Sequence, residues 1–104
     1  MADLIQSAWR EQLDNDTEAV IIDVRTDEEL AEGMIPNAEQ IDIFQSQTFI
    51  EKIQALDASK NYYVYCRSGG RSAQACALMN QIGIKNAFNL SGGFMEWQGE
   101  VVKP

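Results

Sequence analysis

Chemistry concentrates in one stretch of this chain, Cys66-Arg67-Ser68-Gly69-Gly70-Arg71-Ser72. A run rich in strand formers, Tyr62-Tyr63-Val64-Tyr65, leads into it, and a helical pattern follows it. Two adjacent glycines let the backbone between strand and helix curl tightly. Such a curl turns several main-chain N–H groups inward as an anion-binding nest, and the helix N-terminus adds its partial positive charge. Cys66 opens the loop and faces that nest, with Arg67 and Arg71 as nearby cations. Each of these influences favours thiolate over thiol. The chain has no histidine, so a Cys-His pair or any histidine base or ligand is excluded. A reactive Cys66 must therefore be activated by loop amides and arginines. Cys66 is the expected nucleophile, and Arg67, Ser68, Gly69, Gly70 and Arg71 are the expected substrate-binding residues.

Other loop chemistries fit less well. No G-x-x-x-x-G-K-[ST] or G-x-G-x-x-G pattern is present, which argues against nucleotide binding. A cysteine phosphatase or arsenate reductase needs five residues between cysteine and arginine to hold a tetrahedral oxyanion. Here four separate Cys66 from Arg71, with Ser72 next, so the cradle is smaller.

The elements that must position the loop alternate along the chain. Val20-Ile21-Ile22-Asp23-Val24 is a near-continuous apolar run, as in a strand buried on both faces. Ile41-Asp42-Ile43 is a weaker strand, Ala87-Phe88-Asn89-Leu90 a clear one, and Leu4-Ile5 a short edge. Helical spacing links Ile5, Ala8, Trp9 and Leu13. It also links Phe49, Ile50, Ile53 and Leu56, and then Ala75, Leu78, Met79 and Ile82, which Gly83 ends. A short helix over Asp27–Ala31 carries acids in its first turn, and a last one spans Phe94–Gln98. Strand–helix alternation predicts a parallel sheet with helices on both faces, and sites in such sheets form beyond the strands' carboxyl ends. The loop after Tyr65 lies there.

At 104 residues, with 45% hydrophobic and 23% charged side chains, the chain is expected to be a single domain, residues 1–104. The net charge of −8 is uneven. Residues 1–59 hold fourteen of the sixteen acids, whereas residues 60–86 hold Lys60, Arg67, Arg71 and Lys85 and no acid. An acidic body argues against nucleic acid and anionic membranes as partners, and the basic segment is where a small anion would collect. No apolar stretch is long enough to span a bilayer and no secretory signal opens the chain, so a cytoplasmic location is expected. Two cysteines are too few for a disulfide framework.

Three motifs in order resemble the rhodanese family over nearly the whole length. Asp23-Val24-Arg25 through Gly33-Met34-Ile35-Pro36-Asn37-Ala38 looks like the family's D-V-R opening and G-H-I-P-G-A turn. Cys66 to Arg71 is similar to its six-residue active loop, and Gly92-Gly93-Phe94-Met95-Glu96-Trp97 to its closing G-G-x-x-x-W. Met34, Asn37 and Asp27 depart from the family's frequent histidine, glycine and proline. The resemblance implies an α/β, rhodanese-like three-layer fold with a central five-stranded parallel sheet flanked by helices. It implies sulfurtransferase activity without cofactor or metal, Cys66 as sulfur acceptor, and the amides of residues 67–71 as the cradle. Its implied partners are a small anionic sulfur donor such as thiosulfate and a thiol or protein sulfur acceptor, with cyanide accepting in vitro. Arg67 resembles the thiosulfate-using branch. A persulfide carrier with little turnover uses the same cradle and is the alternative. A domain that only binds anions is a further rival.

The remaining singled-out residues are expected to be structural. Asp23 and Arg25 organise the sheet end, with Glu29 as a further partner for Arg25. Cys76, Trp9, Phe94 and Trp97 pack in or over the core.

Overall fold

The structure, a computed structural model, describes residues 2–104. Its order is β1 (Ala2–Leu4), α1 (Gln6–Asp14), β2 (Ala19–Asp23), α2 (Asp27–Leu30), β3 (Glu39–Gln40), α3 (Ser46–Gln54), β4 (Asn61–Tyr65), α4 (Gly70–Gln81), β5 (Ala87–Leu90) and a closing 3-10 turn (Phe94–Glu96). The strands form one parallel sheet in the order β1-β5-β4-β2-β3. This is the expected α/β arrangement of five parallel strands flanked by helices.

The period-2 alternation of β4 builds a core on each face. Tyr62, Val64 and Cys66 join Ile22, Phe49, Ile53, Ala75, Cys76 and Met79, which places α3 and α4 on that side. Tyr63 and Tyr65 join Trp9 and Leu90, with Phe94 and Trp97 against them, which places α1 and the 3-10 turn on the other. Trp9 is fully buried, edge-on to Tyr63 and Trp97, and its Nε1 donates to the Phe88 carbonyl at 3.1 Å. That donation satisfies the one polar atom of a large apolar group.

The predicted strands at 20–24 and 87–90 match β2 and β5 within one residue. The strand expected at Ile41–Ile43 is displaced, because paired backbone is assigned only at Glu39–Gln40. The hydrogen bonding nonetheless continues, from Ile41 N to Asp23 O at 2.9 Å and from Ile43 N to Val24 O at 3.2 Å. Asp42 then turns the chain, its Oδ1 accepting from Phe44 N. The helix expected to Gln98 is a single 3-10 turn ending at Glu96, as Trp97 reverts to extended backbone.

The three departures from the resembled motif have local accounts. Asn37 occupies the left-handed region at φ 68°, which asparagine tolerates better than most residues. Asp27 starts α2, where an acid suits the helix dipole, and it accepts from Gln40 Nε2 at 2.8 Å. Met34 serves through its backbone, exchanging two hydrogen bonds with Val102.

Candidate active site

The loop leaves β4 at Tyr65 and enters α4 at Gly70. Gly69 is the N-cap of α4 with φ 105°, a conformation that strains any residue with a Cβ. Gly70 is already helical, and a Cβ there would meet nothing within 4 Å, so only one of the two glycines is required by the turn. Gly69 N–H donates to Cys66 Sγ at 3.1 Å, and Ser72 Oγ lies 3.3 Å from the same sulfur. Cys66 itself is fully buried, with aliphatic packing on one side and donors on the other. Burial raises its pKa. The Ser72 hydroxyl and the amides of Ser72, Gly69 and Ser68 outweigh that and bring it below the ordinary thiol value. Of the amides expected in the cradle, those of Ser68 and Gly69 bear on the sulfur, joined by that of Ser72, which lies outside the expected set.

The arginines behave differently from expectation. Arg71 does not face an open cradle. Its guanidinium makes a two-pronged bridge to Glu29, at 2.6 Å and 2.7 Å, and lies 5.3 Å from the Phe44 ring centroid. Glu29 is held ready by the capping box of α2, in which its carboxylate accepts from Thr26 N at 3.1 Å. The pairing of Arg25 with the Glu29 carboxylate, expected from the sequence, is thus replaced. Arg25 reaches only the Glu29 carbonyl and binds Asp23 instead. Arg67 is exposed and enters no ion pair among the described residues. Ser68 and Gly70 are also exposed and Gly69 is half-buried, so four expected substrate-binding residues rim the loop, while Arg71 is tied to its side.

The Arg71 bridge, then its Thr26 contacts, hold the Glu29 carboxyl down at about 2, against an ordinary 4.5. A carboxylate depressed by folding stabilises the protein fully above its unfolded value, and that contribution disappears as pH falls through the folded one. Glu29→Gln is therefore expected to lower Tm at pH 7. The gap from wild type closes as pH falls from 4.5 toward about 2 in a series of thermal melts.

The closing glycine motif acts on the loop from behind. Phe94 N donates to Cys66 O and Met95 N to Arg67 O, both at 2.9 Å. Gly93 sits at φ 60°, ψ −161°, and a Cβ there would overlap the Arg67 carbonyl and Ser68 N. Gly93→Ala must push residues 67–68 away from the turn. We expect it to cost about 1–3 kcal/mol in backbone strain and to return the Cys66 pKa toward the ordinary thiol value. The pH dependence of thiol alkylation reads that shift; an unchanged profile would refute it.

Sequence reasoning missed Asn89. It lies on β5 in register with Val64 of β4, which puts it under the loop. It is buried, and it bonds Ser72 Oγ, Gly69 O and Asp3 Oδ1. A polar residue inside an otherwise apolar strand was the available signal. Cys76 is buried as expected, and burial pushes its thiol up to about 12.

Comparison with known proteins agrees with this architecture. The family description "Rhodanese-like domain" matches residues 6–100. "Putative sulfurtransferase YtwF" of Bacillus subtilis is 44% identical over 94 residues, covering 90% of this chain and 87% of that protein. A protein of Allochromatium vinosum named sulfurtransferase is 40% identical over 79% of this chain and 75% of its own. The crystal structure of a rhodanese-like domain protein from Staphylococcus aureus superposes with a TM-score of 0.84 at 31% identity, covering 100% and 99% of the two chains.

Proposed function

Since the chain belongs to the family of rhodanese-like domains, we propose that it is a sulfurtransferase acting through a persulfide on Cys66. Residues 1–104 act as one domain in this reading. The observation that carries it is the sulfur of Cys66 held between the Gly69 amide and the Ser72 hydroxyl at the start of α4. The names of the relatives from B. subtilis and A. vinosum support it.

In the first half-reaction the Cys66 thiolate attacks the outer sulfur of thiosulfate or a similar donor. A new S–S bond forms, the donor's S–S bond breaks, and its electron pair leaves with sulfite. The negative charge now sits on the terminal sulfur, which the rim residues Arg67, Ser68, Gly69 and Gly70 surround. In the second half-reaction a thiophile takes that sulfur, and the pair of the Cys66–sulfur bond returns to Sγ as thiolate. Cyanide serves in vitro and a small or protein thiol in the cell. No proton or electron is consumed overall with cyanide, so no cofactor is required. Such double displacement gives ping-pong kinetics, and preorganised donors stabilise the charge at each stage. Both cysteines are free, which suits the cytoplasm.

A second reading is favoured by one feature. With Arg71 bound to Glu29, Arg67 is the one loop cation left to meet a dianion. A persulfide donor carries less charge than thiosulfate, so a carrier loaded by another persulfide fits the same loop. "Putative sulfur carrier protein YrkF" of Bacillus subtilis is 29% identical over 89% of this chain, which spans 49% of that protein. Exposure to thiosulfate, then cyanide, decides between them by intact mass. A gain of one sulfur atom that cyanide removes supports the enzyme. Loading by polysulfide alone supports the carrier, and loading by neither overturns both.

A further inference from the structure

Beneath Cys66 a polar chain runs from α4 through β5 to an exposed end on β1. Its members are Ser72 and Asn89, both buried, and Asp3. The amide of Asn89 has a fixed orientation for a chemical reason. Its nitrogen lies 2.9 Å from Asp3 Oδ1 and 3.1 Å from Gly69 O. A carbonyl only accepts, and so does an ionised carboxylate, so both N–H bonds are used there and Oδ1 faces Ser72. Ser72 Oγ approaches two acceptors, Asn89 Oδ1 and Cys66 Sγ, yet a hydroxyl has one hydrogen.

That shortage defines two states. When the sulfur is a neutral thiol, its S–H can donate to Ser72 Oγ while the Ser72 hydroxyl donates to Asn89 Oδ1. When the sulfur is a thiolate, the hydroxyl turns and donates to it, leaving the Asn89 carbonyl without that partner. We propose that Asn89 is a positioning residue for Cys66, holding the Ser72 hydroxyl proton off the sulfur while the sulfur is neutral and yielding it when the sulfur becomes an anion. Ser72 keeps its proton throughout and only rotates; the thiol proton leaves to water.

This inference rests on the proposed persulfide cycle for its use. In that cycle Sγ is anionic before attack and neutral in the persulfide, whose charge lies on the outer sulfur. The hydroxyl therefore grips Sγ before transfer, returns to Asn89 in the loaded state, and grips it again as the acceptor takes the sulfur. The other charged or titratable groups around the chain are Arg67, exposed on the loop, Arg71 on α4, bridged to Glu29, Asp3 on β1, which accepts from Asn89, and Cys76 on α4, whose thiol burial pushes up to about 12.

The test is the pH profile of Cys66 alkylation by iodoacetamide in the full chain, with peptide mass mapping to separate Cys76. Ser72→Ala should reduce the thiolate fraction at pH 7 about tenfold, a shift of roughly one pKa unit, through loss of a donor. Asn89→Ala should raise that fraction severalfold, because the hydroxyl loses its competing acceptor. Asn89→Leu, close in size, should do the same if the smaller residue unsettles the fold. Neither Asn89 variant should have any effect in the Ser72→Ala background. Asn89 variants that lower the thiolate fraction, or shift it equally in both backgrounds, would show a merely structural role and overturn the proposal. The alkylation readout involves no sulfur donor. The predicted shifts in a wild type that takes up no sulfur would sustain this inference and count against the sulfurtransferase reading.

Discussion

Cys66→Ser is expected to abolish sulfur transfer, lowering thiosulfate–cyanide turnover by at least about a thousandfold and eliminating the one-sulfur mass gain. The substitution changes one atom in a packed site, so the fold should survive and far-UV circular dichroism should be unchanged. The chemistry should not survive. A serine hydroxyl ionises far above neutral pH, and the four donors that favour a thiolate at residue 66 cannot close that gap. The other thiol offers no substitute: Cys76 is buried on α4, and desolvation pushes its pKa up to about 12. Cys76→Ala should accordingly leave loading intact. Turnover in Cys66→Ser above a hundredth of wild type would remove Cys66 from the mechanism.

The second large effect falls on stability. Asp23 and Arg25 form an ion pair whose side chains are 0% and 1% exposed, at 2.8 Å. Arg25 also donates to the Gly33 carbonyl at 2.7 Å, and its guanidinium lies 4.4 Å from the Phe94 ring centroid. The pair thus ties the end of β2 to the turn after α2 and to the residue whose N–H holds Cys66 O. Removing one member leaves the other charged and buried. Asp23→Ala should cost about 3–5 kcal/mol, a large share of the roughly 5–15 kcal/mol that holds a domain of this size together. Replacing both residues by apolar ones of similar volume should cost less than the single change, since no stranded charge remains. Urea unfolding of the two variants measures the order. A double variant less stable than Asp23→Ala would mean the pair stabilises beyond avoiding a lone charge.

Together these results separate two jobs. The donors around Cys66 set the reactivity of one sulfur atom. The Asp23–Arg25 pair, packed on Phe94, and the Gly92–Gly93 turn that leads into Phe94 hold the loop so that those donors stay aimed.

Much of this was legible in the residue order, and the physical reason differs by element. The strands β2, β4 and β5 lie inside the sheet and are buried on both faces, so each needs an apolar run that stands out from its surroundings. The helices announce themselves by 3.6-residue spacing of the side chains that meet the sheet. The Cys66 loop is local too: its donors come from residues 68–72, and a tight turn into a helix aims them inward. Contacts between distant segments were decided by tertiary structure alone. Arg71 looks like a free cation for substrate until α2, 42 residues away in sequence, presents Glu29 to it. Asn89 looks like an odd polar residue in a strand until β5 pairs with β4 and sets it beneath Ser72 and Gly69. The edge strand β3 depends on its partner in the same way: its ladder with β2 covers only Glu39 and Gln40, ahead of the apolar pattern at Ile41 and Ile43, whose N–H groups still reach Asp23 O and Val24 O. Spacing along a chain encodes which face a side chain takes, whereas the partner it meets there depends on how the faces of separate elements are brought together.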